Sequence, residues 1–366
     1  MLRTLVFVTL ALFMSGPSVP RENWSVEEFI AATGVREAAV PVRELAGWRP
    51  DPTILYTERF ESIDNLARDF PEATFISADG PAHLIERAAE ADVIIGHCSE
   101  ASVGFARKLV WLQIYSSGAE RCLSVDALQS SEVLLTNMQK MSAPAIGEHA
   151  VAMILSLTRG LVQYSKAMPD GQWRRNFIGE PGMYSVGGKT LLVVGLGGIG
   201  SATAQRAKAL GMHVTATRNS SREKPPWVDY VGLADELEDL ARAADVVVNA
   251  LPLTPSTRDL FDEELFGKMK KGAYFINVGR GGTVVTDALV AALDSGHLAG
   301  AGLDVTAPEP LPADHPLWQM PNVIITPHVS SAGADRRFHR MLLRENIRRY
   351  LAGDALLNVV DPARGY

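Results

Sequence analysis

Short apolar runs alternate with amphipathic stretches from residue 53 almost to the end of the chain. A short apolar run bounded by polar residues is typical of a buried strand, and apolar residues at the helical period are typical of a helix. In the first half, this pattern predicts strands at Thr53–Tyr56, Thr74–Ser77, Asp92–Gly96, Val110–Tyr115 and Val133–Thr136. Because helical stretches such as Ser62–Asp69 and Ala82–Ala91 lie between them, we expect a parallel sheet with helices on both faces.

A second block of the same kind begins at Thr190. Its predicted strands are Thr190–Val194, His213–Thr217, Asp245–Ala250, Ala273–Val278, Ala301–Asp304 and Val323–Thr326. A long helical pattern at Pro144–Gln163 separates the two blocks, and the helical tail Arg336–Leu351 is expected to pack on the first. Six strands in this rhythm favour a doubly wound dinucleotide-binding fold.

The first twenty residues have a different character. Arg3 precedes the apolar run Leu5–Met14, and small residues follow it. This arrangement is typical of a secretory signal, although Pro17 disfavours cleavage, and the run is too short to span a bilayer. A signal would send the protein to a compartment such as the periplasm, with no membrane association after processing. The alternative is an N-terminal element of a cytoplasmic protein or a misassigned start. Residues 21–50 predict a mostly polar extension.

The composition limits the class of protein. The chain has 366 residues, 47% of them hydrophobic, which suits two domains with separate cores. Its net charge of −7 gives no electrostatic reason to expect nucleic acid or an anionic membrane as a partner. Two cysteines are too few for a metal cluster, so no metal site is expected. We interpret Cys98 and Cys122 as separate reduced thiols, although they could pair with each other.

A glycine-rich turn follows the first strand of the second block and leads into the helical stretch Ser201–Leu210. In such a turn the first glycine permits the tight bend, the second lets the backbone approach a pyrophosphate, and the third lets helix and strand pack closely. The free N–H groups at the start of the helix favour phosphate. We therefore predict a dinucleotide site that contains Gly195, Gly197, Gly198, Ile199 and Gly200.

The end of the next strand distinguishes between the two nicotinamide cofactors. Enzymes that use NAD usually place a carboxylate about 20 residues past the glycine turn, where it binds the ribose 2′-hydroxyl. Here Arg218, Asn219 and Ser220 occupy that stretch, and no carboxylate precedes Glu223. Because a guanidinium suits a 2′-phosphate, the sequence favours NADP, with NAD possible.

Several ordered motifs resemble those of the D-isomer-specific 2-hydroxyacid dehydrogenases, a family that includes glyoxylate/hydroxypyruvate reductases and D-lactate dehydrogenases. The resemblance begins near residue 51 and reaches the end of the chain. Besides the glycine turn, the matching segments are residues 147–149, 249–257, 277–282, 302–305, 308–310, 326–328, 358–361 and 365–366.

The resemblance implies an α/β fold of two domains with the active site in the cleft between them. A Rossmann-type doubly wound parallel sheet at residues 147–328 is inserted into a smaller, flavodoxin-like α/β substrate domain. Residues 51–146 form the substrate domain, and residues 329–366 complete it. The resemblance also implies a homodimer that acts on a small 2-oxo or 2-hydroxy acid.

Reduction of a 2-oxo acid requires one group that holds the carboxylate and another that delivers a proton to the carbonyl oxygen. By resemblance, Arg280 is the anchor, because a guanidinium can grip a carboxylate with two parallel hydrogen bonds. His328 is the acid/base, and Glu309, between two prolines, hydrogen-bonds it. A neighbouring carboxylate favours the charged imidazolium, so this pair is expected to donate a proton during reduction and accept one during oxidation.

The resemblance assigns further contacts to the cofactor. Asp304 would contact the nicotinamide carboxamide, and backbone near Leu251, Pro252 and Val278 would line the nicotinamide side.

The predicted substrate loop departs from the family pattern. Backbone N–H groups at Ser117 and Gly118 would bind the substrate carboxylate, although this stretch also suits a plain strand-to-helix turn. A hydrophobic residue and Asp are commoner in the family at Ser117 and Glu120, and Arg is often seen at Gly198. The departures in the loop put the substrate preference in doubt and leave the chemistry unaffected.

Two other functions are compatible with these motifs. A phosphite dehydrogenase would keep Arg280, Glu309 and His328, whereas a formate dehydrogenase of this fold would carry Gln in place of Glu309. A non-catalytic, NAD(P)-sensing corepressor shares the fold, but nothing in the chain marks a peptide-binding cleft.

Overall fold

The computed structural model describes residues 24–362, except 79, 130, 172 and 174–182. The predicted signal segment lies outside these residues. Within them, two sheets are formed, and every strand pair in both is parallel. The strands are β1 Thr53–Tyr56, β2 Thr74–Ser77, β3 Val93–Ile95, β4 Trp111–Gln113, β5 Leu134–Thr136, β6 Thr190–Val194, β7 His213–Thr217, β8 Tyr230–Gly232, β9 Val246–Asn249, β10 Ala273–Asn277, β11 Leu298–Leu303 and β12 Val323–Ile325.

Helices cover the sheets. The α-helices are α1 Val26–Thr33, α2 Ile63–Asp69, α3 Pro81–Arg87, α4 Glu100–Phe105, α5 Glu120–Leu123, α6 Asp126–Gln129, α7 Ala143–Thr158, α8 Leu161–Ala167, α9 Gly198–Ala209, α10 Leu237–Ala243, α11 Glu263–Lys268, α12 Thr286–Asp294 and α13 Arg336–Ala352. Short 3₁₀ turns lie at Val42–Glu44, Ala88–Glu90, Met168–Asp170, Ala234–Glu236, Gly281–Thr283 and Pro316–Gln319. No helix among the described residues is both long enough and apolar enough to cross a bilayer.

The strand orders confirm the predicted fold class. The five-stranded sheet has the order β2-β1-β3-β4-β5, which is the flavodoxin-like order. The seven-stranded sheet has the order β12-β11-β10-β9-β6-β7-β8, so the direction of winding reverses between β6 and β9, as in a Rossmann fold. The edge strand β8 was not predicted, because Val231 is the one buried apolar side chain among its three residues and leaves no apolar run.

The predicted helix at Pro144–Gln163 is two helices. Gly160 adopts a left-handed conformation (φ 64°) and separates α7 from α8. Helix α7 packs on α9 beside the seven-stranded sheet, and the two helices approach so closely at Gly147 that an added Cβ would lie 2.9 Å from the Ala202 Cβ atom. The buried side chains of α7 join the core of the second sheet.

Residues 24–50, predicted as part of a polar extension, pack into the core of the first sheet. Helix α1 begins with a capping box between Ser25 and Glu28. Phe29, Val35 and Val42 are buried in the same cluster as β1 and α13. About half of residues 24–50 are apolar, so the expectation of a mostly polar extension is wrong there. The burial of these side chains depends on surfaces that the distant helix α13 supplies. The predicted packing of the helical tail on the first block is confirmed by that cluster.

The expectation of two separate reduced thiols is wrong, because Cys98 and Cys122 form a disulfide. Cys98 follows β3 and Cys122 lies in α5, which follows β4. Since β3 and β4 are parallel neighbours, the segments after them meet at one edge of the sheet. The sequence separation of 24 residues hides this proximity.

We predict that replacing both cysteines by serine lowers the free energy of unfolding by about 3 kcal/mol, because the unfolded chain then regains the freedom of an open loop. Urea denaturation of the oxidised wild type and of the double variant measures the difference. As a control, reducing agent should destabilise the wild type and leave the variant unchanged. Equal stabilities of the oxidised wild type and the variant would contradict the prediction.

Candidate active site at the carboxyl edge of the seven-stranded sheet

The predicted site residues gather along one edge of the second sheet. Because all of its strands are parallel, their carboxyl ends share one edge, and ligands of such sheets bind outside that edge near the reversal of strand order. The residues that follow strands β6, β7, β9, β10, β11 and β12 there are Gly195, Arg218, Leu251, Arg280, Asp304 and His328.

The glycine turn has the geometry that a bound dinucleotide needs. Gly195 has φ 95°, a value that favours glycine. A side chain at Gly200 would collide with the carbonyl of Gly195 and would lie 2.8 Å from Val193 Cγ1, so helix α9 can approach strand β6 only through glycine. Over Gly197 the space is open. Helix α9 begins at Gly198, and Ile199 packs against the core beneath it. The first N–H groups of α9 and the open space therefore fit the cofactor phosphates.

The Arg218 side chain has a hydrogen-bond donor that no acceptor among the described residues uses, as expected of a residue that binds an anion. Its backbone N–H donates to the carbonyl of Gly232 at 3.0 Å, which fixes the start of the loop that continues through the exposed Asn219 and Ser220. Its Nε atom is buried and has no hydrogen-bond partner. By contrast, Arg222 is paired with Glu236.

A buried polar network fixes the loops on the nicotinamide side. The Asn249 side chain donates to Asn277 Oδ1 at 3.0 Å and to Thr283 Oγ1 at 2.6 Å. Its Oδ1 accepts from the backbone N–H of Leu251 at 3.1 Å, and its carbonyl accepts from Val278 N–H. Sequence reasoning missed this network. The sequence does contain a signal for this network, because the buried strands β9 and β10 each end with an asparagine. These two asparagines are paired in register in the sheet.

The loop after β9 is closed by a side chain of its own. Thr257 Oγ1 donates a hydrogen bond to the carbonyl of Pro252 at 2.7 Å. The same Oγ1 atom accepts a hydrogen bond from the backbone N–H of Thr254 at 2.8 Å. These two contacts hold Pro252 in place beside Leu251.

Arg280 is held from the other sheet. Its Nε donates to Glu120 Oε1 at 2.9 Å, and its Nη1 donates to the carbonyl of Gly279 at 2.9 Å. Among the described residues nothing accepts a hydrogen bond from Nη2, which remains for a ligand. In the sequence, Glu120 is apparent only as a departure from the family pattern, and its contact with Arg280 was not predicted. The pairing partner lies 160 residues away.

The predicted substrate loop lies directly against Arg280. A side chain at Gly118 would collide with the guanidinium, so glycine permits this approach. Ser117 Oγ donates to the carbonyl of Met138, and Asn137 Nδ2 donates to the carbonyl of Ser117. Within the described part of the chain, no acceptor binds the backbone N–H groups of Ser117 and Gly118. These two donors therefore remain available to a ligand in the loop that lies against Arg280.

His328 and Glu309 form the predicted pair, with 2.6 Å between Nδ1 and Oε1. An ionised carboxylate only accepts hydrogen bonds, so Nδ1 carries the hydrogen and Nε2 is left for proton exchange. The His328 side chain is 46% exposed, which leaves it accessible to a ligand. Its backbone has φ 53°, an uncommon conformation for a residue other than glycine.

The buried carboxylate of Asp304 fixes the loop that carries His328. It accepts hydrogen bonds from Thr326 Oγ1 at 2.6 Å and from the backbone N–H groups of Val329 and Ser330 at 2.9 and 3.1 Å. Burial alone would raise the pKa of Asp304, but hydrogen bonds from Ser330, Thr326 and Val329 outweigh it and lower the pKa. His149 Nε2 reaches Thr326 Oγ1 at 2.9 Å and so joins helix α7 to this network. These contacts give Asp304 a positioning role, and its contact with the nicotinamide stays a prediction.

Backbone hydrogen bonds join the loop that carries Arg280 to the loop that carries His328. Asp304 N–H donates to the carbonyl of Asn277 at 3.0 Å, and His328 N–H donates to the carbonyl of Asp304 at 2.8 Å. Arg280 lies three residues after Asn277. The proposed anchor after β10 and the proposed acid/base after β12 are thus linked through the end of β11, the strand that lies between them.

Comparisons with known proteins identify the family of this chain. A profile described as D-isomer specific 2-hydroxyacid dehydrogenase, NAD binding domain, matches residues 151–330. Glyoxylate/hydroxypyruvate reductase B of Klebsiella pneumoniae subsp. pneumoniae is 33% identical over 318 residues, which cover 86% of this chain and 96% of that protein. The chloroplastic D-3-phosphoglycerate dehydrogenase 2 of Arabidopsis thaliana is 35% identical over 292 residues, 77% of this chain and 46% of that protein.

Two solved structures have the same architecture. The D-isomer specific 2-hydroxyacid dehydrogenase of Xanthobacter autotrophicus, in complex with NADPH and MES, has a TM-score of 0.73 and 28% identity, and covers 86% of this chain and 99% of its own. The NADPH-dependent glyoxylate/hydroxypyruvate reductase of Sinorhizobium meliloti, in complex with NADP and sulfate, also has a TM-score of 0.73 and 28% identity, and covers 86% of this chain and 99% of its own.

Fold and site together define a dinucleotide-dependent dehydrogenase with its reaction centre between two α/β lobes. The chain belongs to the family of D-isomer specific 2-hydroxyacid dehydrogenases, and it is an NAD(P)-dependent oxidoreductase.

We predict that His328→Ala lowers kcat by about 10²–10⁴-fold, because the variant loses its positioned proton donor. NADPH binding, measured by fluorescence titration, should stay within about twofold, since the cofactor phosphates contact other strand ends.

A matched control is His213→Ala. His213 begins strand β7 at the opposite edge of the same sheet, so its removal should leave kcat unchanged. A kcat of His328→Ala close to that of the wild type would show that another group transfers the proton.

Proposed function

We propose that this protein reduces small 2-oxo acids of the glyoxylate and hydroxypyruvate type to D-2-hydroxy acids, with NADPH as the reductant. The observation that carries the proposal is the position of Arg280 after β10 and of the His328–Glu309 pair after β12 and β11, in loops that hydrogen bonds of the Asp304 backbone join at one edge of the sheet. The guanidinium of Arg280 suits the carboxylate of a 2-oxo acid. The imidazole of His328, which is paired with Glu309, suits its carbonyl oxygen.

Each end of the substrate has a partner in the chain. Its carboxylate is held by Arg280 Nη2 together with the free N–H groups of Ser117 and Gly118, while Glu120 fixes the guanidinium through Nε. When bound, the nicotinamide supplies the hydride to C2. His328 Nε2 donates the proton to the carbonyl oxygen, and Glu309 stabilises the imidazolium through Nδ1. In the oxidative direction His328 accepts the proton.

The similar structures support both halves of the proposal. The Sinorhizobium meliloti protein is a glyoxylate/hydroxypyruvate reductase that carries NADP, and the Xanthobacter autotrophicus protein carries NADPH. In this chain, the unpartnered Nε of Arg218 lies where the 2′-phosphate of NADP is expected.

The substrate assignment is tested by NADPH and NADH oxidation with 2-oxo acids of increasing side-chain size. We expect the highest kcat/KM with glyoxylate or hydroxypyruvate and D configuration in any chiral product. Phosphite with NAD(P)⁺ is the contrasting arm. Turnover of phosphite without turnover of 2-oxo acids, or cofactor binding without any turnover, would overturn the proposal.

The cofactor assignment is tested by Arg218→Asp. A charged hydrogen-bonding partner of the 2′-phosphate is lost and a repulsive carboxylate replaces it, so kcat/KM with NADPH should fall at least about tenfold. The new carboxylate can bind a ribose 2′-hydroxyl, so kcat/KM with NADH should stay the same or rise.

Arg242→Asp is the matched control, because Arg242 lies on helix α10 in an exposed pair with Asp239. It should leave both values unchanged. An unaltered NADPH/NADH ratio in Arg218→Asp would remove the proposed role of Arg218.

We also propose that the protein is exported through its signal-like N-terminal segment. The Cys98–Cys122 disulfide supports export, because disulfides persist mainly in oxidising compartments. N-terminal sequencing of the protein isolated from fractionated cells tests this proposal. An uncleaved chain with free thiols in the cytoplasmic fraction would contradict it.

A homodimer is proposed as well. Large apolar side chains are exposed in the segment after α7, where Met168 is 75% and Trp173 92% exposed. Contiguous exposed apolar surface favours association with another chain, and these two side chains lie five residues apart in one segment. Sedimentation analysis should give a dimer, and Trp173→Glu should shift it toward the monomer. A monomeric wild type would contradict the proposal.

A further inference from the structure

Lys140 has a backbone conformation that favours glycine. It lies between strand β5 and helix α7, with φ 73°. For an L-residue this left-handed conformation costs free energy. Such strain persists where the surrounding structure enforces it, and it concentrates at binding sites. A lysine at this position therefore suggests a use for its side chain.

The side chain lies against the glycine turn. A Cβ added to Gly198 would be 2.9 Å from Lys140 Cγ, so the lysine stem fills the space that a larger residue at position 198 would need. Its Nζ donates to the carbonyl of Gly34, just after helix α1. The stem of Lys140 thus packs against the first residue of helix α9, while its positive charge lies beside Gly34 in the first lobe.

The positive charges around Lys140 are uncompensated. Burial, together with the charges of Arg36 and Arg218, lowers the pKa of Lys140 to about 8. Within the described residues none of these three cations forms an ion pair, whereas Arg222, four residues beyond Arg218, is paired. Three cations without a carboxylate repel one another, and a multiply charged anion would relieve that repulsion.

We propose that Lys140 binds the 2′-phosphate of NADP together with Arg218, while Arg36 adds positive potential from the N-terminal segment. A phosphate monoester carries a charge of about −1.5 to −2 near neutral pH, more than one guanidinium neutralises. The pyrophosphate already has the N–H groups at the start of α9. Electrostatic coupling of Lys140 to Arg218 therefore favours the 2′-phosphate as its ligand.

This assignment rests on the proposed use of NADP, and it has a structural consequence. Arg218 belongs to the dinucleotide sheet, whereas Lys140 and Arg36 lie in the other lobe. A phosphate bound between them would join the two lobes on the adenosine side of the cleft, at the end opposite to the Glu120–Arg280 ion pair.

The test is a comparison of Kd values for NADPH and NADH in the wild type, Lys140→Gly and Lys140→Arg, measured by fluorescence titration without substrate. In Lys140→Gly we expect about tenfold weaker NADPH binding, with NADH binding within about twofold of the wild type. Lys140→Arg should keep NADPH binding within about threefold. Glycine suits the left-handed conformation, so the Tm of Lys140→Gly should equal or exceed that of the wild type.

The control is Lys271→Gly, which removes an exposed lysine just before strand β10, at the opposite edge of the sheet. It should leave both Kd values unchanged. Equal weakening of NADPH and NADH in Lys140→Gly would show that the 2′-phosphate is not the ligand and would overturn the inference, as would unchanged NADPH binding. A failure of the proposed NADP preference is distinguishable from a failure of the role of Lys140. It would appear in the wild type itself, as equal affinity for NADPH and NADH.

Discussion

The site depends on the buried carboxylate of Asp304. A charge out of water is costly unless hydrogen bonds replace its hydration, and here Thr326 Oγ1 and two consecutive backbone N–H groups provide them. Those donors surround His328, so the residue is fixed in an uncommon backbone conformation with Nδ1 on Glu309. The position of the proposed acid/base group thus follows from the hydrogen bonds that stabilise a buried carboxylate, which need not react itself.

The second constraint is the contact between the two lobes at Arg280. Glu120 from the first lobe orients the guanidinium of Arg280 in the second, and the substrate loop approaches that guanidinium through Gly118. The disulfide secures the short helix that begins with Glu120, because Cys122 is one of its residues. The proposed substrate contacts thus come from both lobes, and the Arg280–Glu120 ion pair links the packing of the lobes to the orientation of the guanidinium.

Much of this arrangement could be predicted from local sequence. Buried parallel strands are continuous apolar runs, so most strands of both sheets were placed within a few residues, and β1, β2, β6 and β7 were placed with their observed bounds. The glycine turn is also a local signal, since its conformations require glycine at fixed spacings. Arg280 and His328 were assigned through the family motifs that contain them, and both motifs follow predicted strands. The weak or short elements were missed, because α1 and β8 gain their burial from distant surfaces.

The sequence by itself determined the alternation of strands and helices, the cofactor turn and the residue types available for hydride chemistry, because each depends on neighbours within a few positions. Only the tertiary structure decided which distant groups meet. The pairing of Cys98 with Cys122, the hold of Glu120 on Arg280 and the approach of Lys140 to Gly198 depend on strand order and on the packing of two lobes. A contact between residues far apart in the chain leaves no periodic trace in the sequence, and the fold alone brings the two partners together.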